Sequence, residues 1–155
     1  MKIYVASSWR NEFQQGVVKE LRVAGHEVYD FKNPPHGKGG FGWSQIDGDW
    51  KQWTPERYIA ALSHQLAEEG FASDMNALRW CEACVYVMPC GPSASMEMGW
   101  ACGAGKPVCA YIPATREPDL MVKMASKITN SMEELLCWID SVATSLELRP
   151  TECVS

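Results

Sequence analysis

Apolar positions along this chain follow two rhythms, a short continuous one and a helical one, and the two alternate. Lys2–Ala6 (KIYVA) is a continuous β-rich run and predicts a buried strand. Phe13, Val17 and Leu21 then recur at helical spacing with Val18 alongside, and Gly25 follows as a C′ terminator. Residues 27–31 (EVYDF) predict a second strand. After a long break, Thr54 caps a helix with Pro55 at N1 and Arg57 at N3, with Tyr58, Leu62 and Leu66 on one face. Residues 70–83 predict a further helix with Met75, Leu78 and Ala83 in its apolar set. Residues 84–89 (CVYVMP) predict a third strand.

A helix over 95–105 follows, then a fourth strand in KPVCAYIP, a short helix over 116–125 and a fifth strand or extended segment beginning at Lys127. A closing amphipathic helix covers 131–147, where Ser131 and Glu134 have the spacing of a capping box. No repeat or linker interrupts this order. The expectation is a single domain over 1–148 and a frayed tail over 149–155.

Continuous apolar strands alternating with helices imply an α/β fold, a mainly parallel five-stranded sheet covered on both faces. Such sheets bind ligands beyond the carboxyl ends of their strands, where the strand order switches. Three segments therefore matter: 7–11 (SSWRN), 89–95 (PCGPSAS), and the Gly-, Pro- and Trp-rich stretch 32–54. Loops as long as that last one are usually functional in compact domains.

Size and charge narrow the partners. The chain has 155 residues, 46% hydrophobic and 21% charged, with net charge −5. That composition is ordinary for a soluble domain, and the charge disfavours a nucleic-acid polymer or an anionic membrane as main partner. A basic pocket for one phosphate stays compatible. The first residues carry too short an apolar run for a signal segment, and no run approaches the ~20 residues of a membrane helix. Of seven cysteines, Cys84, Cys102 and Cys109 lie in apolar runs, which suits a reduced, cytoplasmic protein.

Cys81 and Cys84 form a CxxC, yet no second pair follows, and the motif straddles a helix end and a strand start. Packing is the simpler role. His26, His36 and His64 show no ligand spacing, so neither metal nor cofactor is expected.

Glu97 is the one acid in residues 90–108. One reading makes it a helix-start acid, with Ser95 as N-cap and Glu97 at N2, stabilised by the helix dipole by about 0.3–1 kcal/mol. Its neighbours Met96, Met98 and Trp100 fit that role poorly on a helix lying against a sheet. Gly99 and Gly103, one turn apart, suggest close packing, because glycine in a helix costs up to about 1 kcal/mol relative to alanine. In the other reading, Glu97 faces the strand ends from a polar notch of serine hydroxyls and backbone N–H groups.

A family resemblance rests on these residues: Lys2–Ser8, Asp74, the strand over 84–89, and Ser93, Glu97, Gly99, Ala101, Gly105, Lys106, Pro107 and Val108, with a weaker match at 119–121. Together, over about residues 2–140, they resemble the nucleoside 2-deoxyribosyltransferase superfamily, including its nucleotide N-glycosidase-like members. The resemblance implies a single flavodoxin-like (Rossmann-like) three-layer domain. It also implies cleavage or exchange of the N-glycosidic bond of a (deoxy)nucleoside or its 5′-monophosphate.

By carry-over, Glu97 is the nucleophile that forms a covalent glycosyl-enzyme, and Asp74 is the acid that protonates the leaving base. Retaining glycosidases divide the work between two carboxyl groups in the same way. Ser7, Gly91, Ser93 and Ser95 line the sugar pocket, with a helix N-terminus able to assist a 5′-phosphate. Arg10 is a candidate phosphate partner or an ordinary surface arginine. Trp43, with Trp50 and Trp53, offers either a stacking face for a base or a small core that pins the loop. Asp119 stands where the family usually has Asn, a residue donated to the neighbouring subunit's sugar site, which implies a homodimer or higher oligomer.

Three rivals keep the fold. One is a hydrolase acting on a nucleotide or on another N-riboside such as NAD. Another is a non-catalytic nucleotide-binding module, which predicts binding without turnover. The third is a flavin-binding protein, disfavoured because the first loop lacks a Ser/Thr/Gly-rich phosphate cradle.

Overall fold

The computed structural model describes residues 1–35, 40–114 and 117–148. His36 and the tail over 149–155 lie outside the described residues. Contacts divide the chain into two compact units, one made of Met1–Val28 with Cys81–Ser155 and the other of Tyr29–Trp80.

The sheet has five parallel strands in the order β2-β1-β3-β4-β5. They are β1 (Lys2–Ala6), β2 (Glu27–Tyr29), β3 (Ala83–Val87), β4 (Val108–Tyr111) and β5 (Lys127–Thr129). Ile3 is paired with Ala83 and Val85 with Cys109, so β1, β3 and β4 share one register at the centre. All of β3 and β4 is buried, as continuous apolar strands in a covered parallel sheet must be.

One face of the sheet presents Ile3, Val5, Val85 and Val87 to α1 (Gln14–Val23), through Val17, Val18 and Leu21. The last helix, which is α5 here (Met132–Glu147), adds Leu135 and Ile139 to the same core. Side chains alternate along a strand, so Tyr4, Cys84 and Tyr86 point to the other face. There α4 (Pro92–Gly103) packs on β1, β3 and β4. The α/β three-layer expectation is met. The second unit contains 3-10 turns at Trp43–Gln45 and Trp50–Gln52, followed by α2 (Pro55–Leu62) and α3 (Gln65–Trp80), which pack on each other.

Local signals explain most boundaries. Thr54 accepts from Arg57 N at 3.3 Å and Pro55 opens α2; Gly25 takes φ +90° just past α1, a conformation that favours glycine.

Four expectations need correction. First, α4 starts at Pro92 with Gly91 as N-cap, so Ser95 is no cap and Glu97 lies in the second turn, beyond the reach of a first-turn dipole effect. Proline at N1 sets this start, since its ring fixes φ and it has no N–H to leave unsatisfied. Second, no close packing explains the α4 glycines: a Cβ at Gly99 meets only Met124 Cε at 3.9 Å, and one at Gly103 meets nothing within 4 Å.

Third, α3 begins at Gln65 and ends at Trp80, leaving Ala83 to β3; Tyr58, Leu62 and Leu66 are 48%, 46% and 37% exposed and form no buried face. Fourth, the capping box is half made. Ser131 Oγ accepts from Glu134 N, but the Glu134 carboxylate takes Thr129 Oγ1 at 2.8 Å and Lys127 Nζ at 2.9 Å instead. A charged partner outcompetes a neutral backbone N–H.

Candidate active site

The strand order places the switch point between β1 and β3, because β1 is followed by β2 on one side and by β3 on the other. The carboxyl ends of these two strands are tied together by side chains. Ser7 is buried and its hydroxyl donates to Val87 O at 2.8 Å. Asn11, also buried, donates through Nδ2 to Val87 O at 3.1 Å and to Pro89 O at 2.9 Å. Its Oδ1 accepts from Phe13 N at 2.7 Å and Gln14 N at 3.0 Å, so the same residue caps the start of α1.

Beyond β3 the chain turns through Cys90 and Gly91 into α4. Tyr86 Oη and Ser95 Oγ share a hydrogen bond of 2.9 Å, and Ser95 Oγ also donates to Gly91 O at 3.4 Å. Burial pushes the Cys90 thiol up to about 11, the Tyr86 hydroxyl acts in the opposite direction, and the negative charges of Glu97 and Asp119 add to the rise. Burial likewise raises Tyr86 to about 12, with the Cys90 and Ser95 contacts and the Asp119 charge as further influences. Cys84 lies fully buried and far above the ordinary thiol range, first through burial, with the Cys81 and Glu97 charges contributing.

Glu97 and Asp119 therefore both act on Cys90, and these groups form one electrostatic neighbourhood in the first unit. Glu97 is half-buried. Asp119 accepts from Met121 N at 2.9 Å and starts the 3-10 segment Leu120–Met124. Ser93 is exposed in the first turn of α4. Arg10 is exposed in the first loop and, among the described residues, makes no ion pair.

Asp74 and Trp43 belong to the second unit. Asp74 is half-buried in α3, and its Oδ1 accepts from Tyr29 Oη at 2.9 Å. Burial raises its carboxyl above the ordinary range, and the tyrosine bond partly opposes that rise. Trp43 makes edge-on contacts with Phe41 at 4.8 Å and with Trp53 and Tyr58, each at 5.7 Å. With Trp50, Trp53, Thr54, Pro55 and Tyr58 it also lines a cavity of about 470 Å³. Trp53 Nε1 donates to Asp47 Oδ2 at 2.7 Å, and Arg57 lies 3.6 Å from the same oxygen. The loop is thus internally cross-linked.

Several residues escaped the sequence reading. Asn11 was detectable, because it stands three positions before Gln14 at a helix start. Tyr29, Tyr86 and Cys90 gave no such signal: each looks like strand or turn material, and only the fold brings Tyr29 to Asp74, Tyr86 to Ser95, and Cys90 under the charge of Glu97. Among the described residues no cluster of three His, Cys, Asp or Glu side chains is placed to hold a metal ion, and no helix is long and apolar enough to cross a membrane.

No protein-family profile matches this sequence, and no curated protein matches it. Solved structures do. A 2-deoxyribosyltransferase from the psychrotolerant bacterium Bacillus psychrosaccharolyticus is similar with TM-score 0.60 at 19% identity, covering 88% of this chain and 90% of that one. A CMP N-glycosidase from Clostridium botulinum is similar with TM-score 0.47 at 15% identity, covering 90% and 99%. The first likeness extends along nearly the whole chain and shows that the two proteins share an α/β fold.

Proposed function

We propose that this protein cleaves or exchanges the N-glycosidic bond of a (deoxy)nucleoside or nucleoside 5′-monophosphate through a glycosyl ester on Glu97. The observation that carries the reading is the place of Glu97. It is a half-buried carboxylate in the second turn of α4, the helix that follows the carboxyl end of β3, and its charge acts on the Cys90 thiol in the turn between them. A parallel sheet of this order is expected to receive its ligand there. Sharing a fold with a 2-deoxyribosyltransferase supports the same reading.

In this mechanism a Glu97 carboxylate oxygen attacks C1′. The C1′–N bond breaks, its electron pair stays on the base nitrogen, and Asp74 delivers its proton to that base. The raised carboxyl of Asp74 supports this role, since a general acid must hold its proton near working pH. A second base, or water, then attacks C1′, Glu97 leaves as carboxylate, and the proton released by the acceptor returns to Asp74.

Ser7, Gly91, Ser93 and Ser95 surround the sugar in this proposal, and Trp43 stacks against the base. Asp119 acts on a neighbouring subunit's sugar site, which makes the active form at least a dimer. The N-terminus of α4, the Ser93 hydroxyl and the Arg10 guanidinium supply anion-binding chemistry for a 5′-phosphate.

The deciding experiment is a chromatographic screen of wild type and Glu97→Ala with the four deoxynucleosides and their 5′-monophosphates, each with and without free adenine. Base release or exchange that disappears in the variant supports the proposal, and dependence on adenine separates transfer from hydrolysis. Absence of turnover with every substrate overturns it in favour of an NAD-like substrate or a binding module.

A further inference from the structure

Tyr29 ends β2 with its side chain buried, yet its hydroxyl meets two polar groups on α3. Oη lies 2.9 Å from Asp74 Oδ1, to which it donates, and 2.8 Å from Ser73 Oγ. A phenol has a single proton. Once that proton is given to Asp74, Ser73 must be the donor in the second bond. The three residues form a directed chain, Ser73 to Tyr29 to Asp74.

The two oxygens of Asp74 are therefore unequal. Oδ1 is occupied by the Tyr29 proton. Among the described residues Oδ2 accepts no hydrogen bond, and it is not one of the sealed, unpartnered polar atoms. While Tyr29 donates to Oδ1, a carboxylic proton on that oxygen would compete with the phenol proton, so in this arrangement the neutral acid carries its proton on Oδ2. When that proton leaves, Oδ1 gains charge and the tyrosine bond becomes charge-assisted, hence shorter and stronger.

We infer that Tyr29 is a positioning residue that keeps the acidic proton of Asp74 on Oδ2 and stabilises the carboxylate left when that proton departs. The inference rests on Asp74 being the acid of the proposed reaction. In the step concerned, the Asp74 Oδ2–H bond breaks, the proton joins the leaving base nitrogen, and the electron pair stays on Asp74. Tyr29 keeps its own proton throughout. Ser73, donating to the phenol oxygen, strengthens the phenol as a donor by polarising it along the chain.

The test uses full-length protein with carboxyl-labelled aspartate. Asp74 is followed by carbon NMR across pH, with Asp74→Asn to assign its signal. Tyr29→Phe keeps the ring and removes the donor, so the Asp74 midpoint is expected to move upward; Ser73→Ala is expected to move it the same way by less. In the base-release assay, Tyr29→Phe should lower kcat roughly tenfold with little change in KM. Its alkaline limb should shift to higher pH, because activity needs the protonated acid.

A midpoint unmoved by Tyr29→Phe overturns the inference. Should that variant fail to fold, a midpoint unmoved by Ser73→Ala overturns it instead. Failure of the underlying reading looks different: Asp74→Asn would retain turnover. The NMR titration needs no substrate.

Discussion

The Asn11 carboxamide donates to the Pro89 carbonyl across 2.9 Å, fastening the loop after β1 to the turn that leads from β3 into α4. Its second donor bond goes to Val87 O and its carbonyl oxygen takes two amides at the start of α1. One buried side chain thus joins three segments at the switch point.

Replacing Asn11 by Asp keeps the cap and removes the donors, leaving two carbonyls facing a carboxylate. A buried group left unsatisfied costs about 1–3 kcal/mol, more when charged. Asn11→Asp should therefore lower stability by at least about 2 kcal/mol at pH 7, read from the midpoint of urea unfolding. An unchanged midpoint would show that the carboxamide donors contribute nothing.

Glycines in two helices should respond oppositely to alanine. A Cβ at Gly70 falls 2.8 Å from Phe41 Cβ and 3.1 Å from Phe41 Cγ, and Phe41 packs edge-on against Trp43. Gly70→Ala should be destabilising despite its higher helix propensity, and should change tryptophan fluorescence. Gly16 has open space around it, so Gly16→Ala in α1 should stabilise by about 0.5–1 kcal/mol. Equal thermal shifts in the two variants would refute this.

His26 introduces a pH dependence. Its side chain is only 7% exposed, and Nε2 lies 3.8 Å from Asp140 Oδ1. Burial lowers its pKa first, the N-terminal charge lowers it further, and Asp140 opposes both. The folded state thus prefers the neutral imidazole, while the unfolded chain protonates near 6.5. Stability contributed by neutral His26 is present above that value and is lost as pH falls from it toward the depressed folded pKa. His26→Asn should flatten that stretch of the stability–pH curve. A curve of unchanged slope would assign the dependence elsewhere.

Thiol reactivity should discriminate between Cys137 and Cys90. Cys137 is exposed, whereas the thiol at Cys90 is pushed to about 11 by burial and by nearby acids. Thiolate is the reactive form. Brief iodoacetamide treatment at pH 7.5 followed by peptide mass mapping should find Cys137 alkylated well before Cys90. The reverse order would mean that the Cys90 environment is more open and less acidic than described.

Sequence by itself determined the strand–helix alternation, the bounds of β1, the Thr54 and Ser131 caps and the Gly25 terminator. These features rest on periodicity and on interactions within a few residues. Tertiary structure decided the rest. The Glu134 carboxylate left its capping position because β5 brought Lys127 and Thr129 within reach. Tyr29 and Asp74, and equally Cys90 with Glu97 and Asp119, interact only because the chain returns on itself. Burial and charge at such places depend on neighbours distant in sequence, which no local pattern encodes.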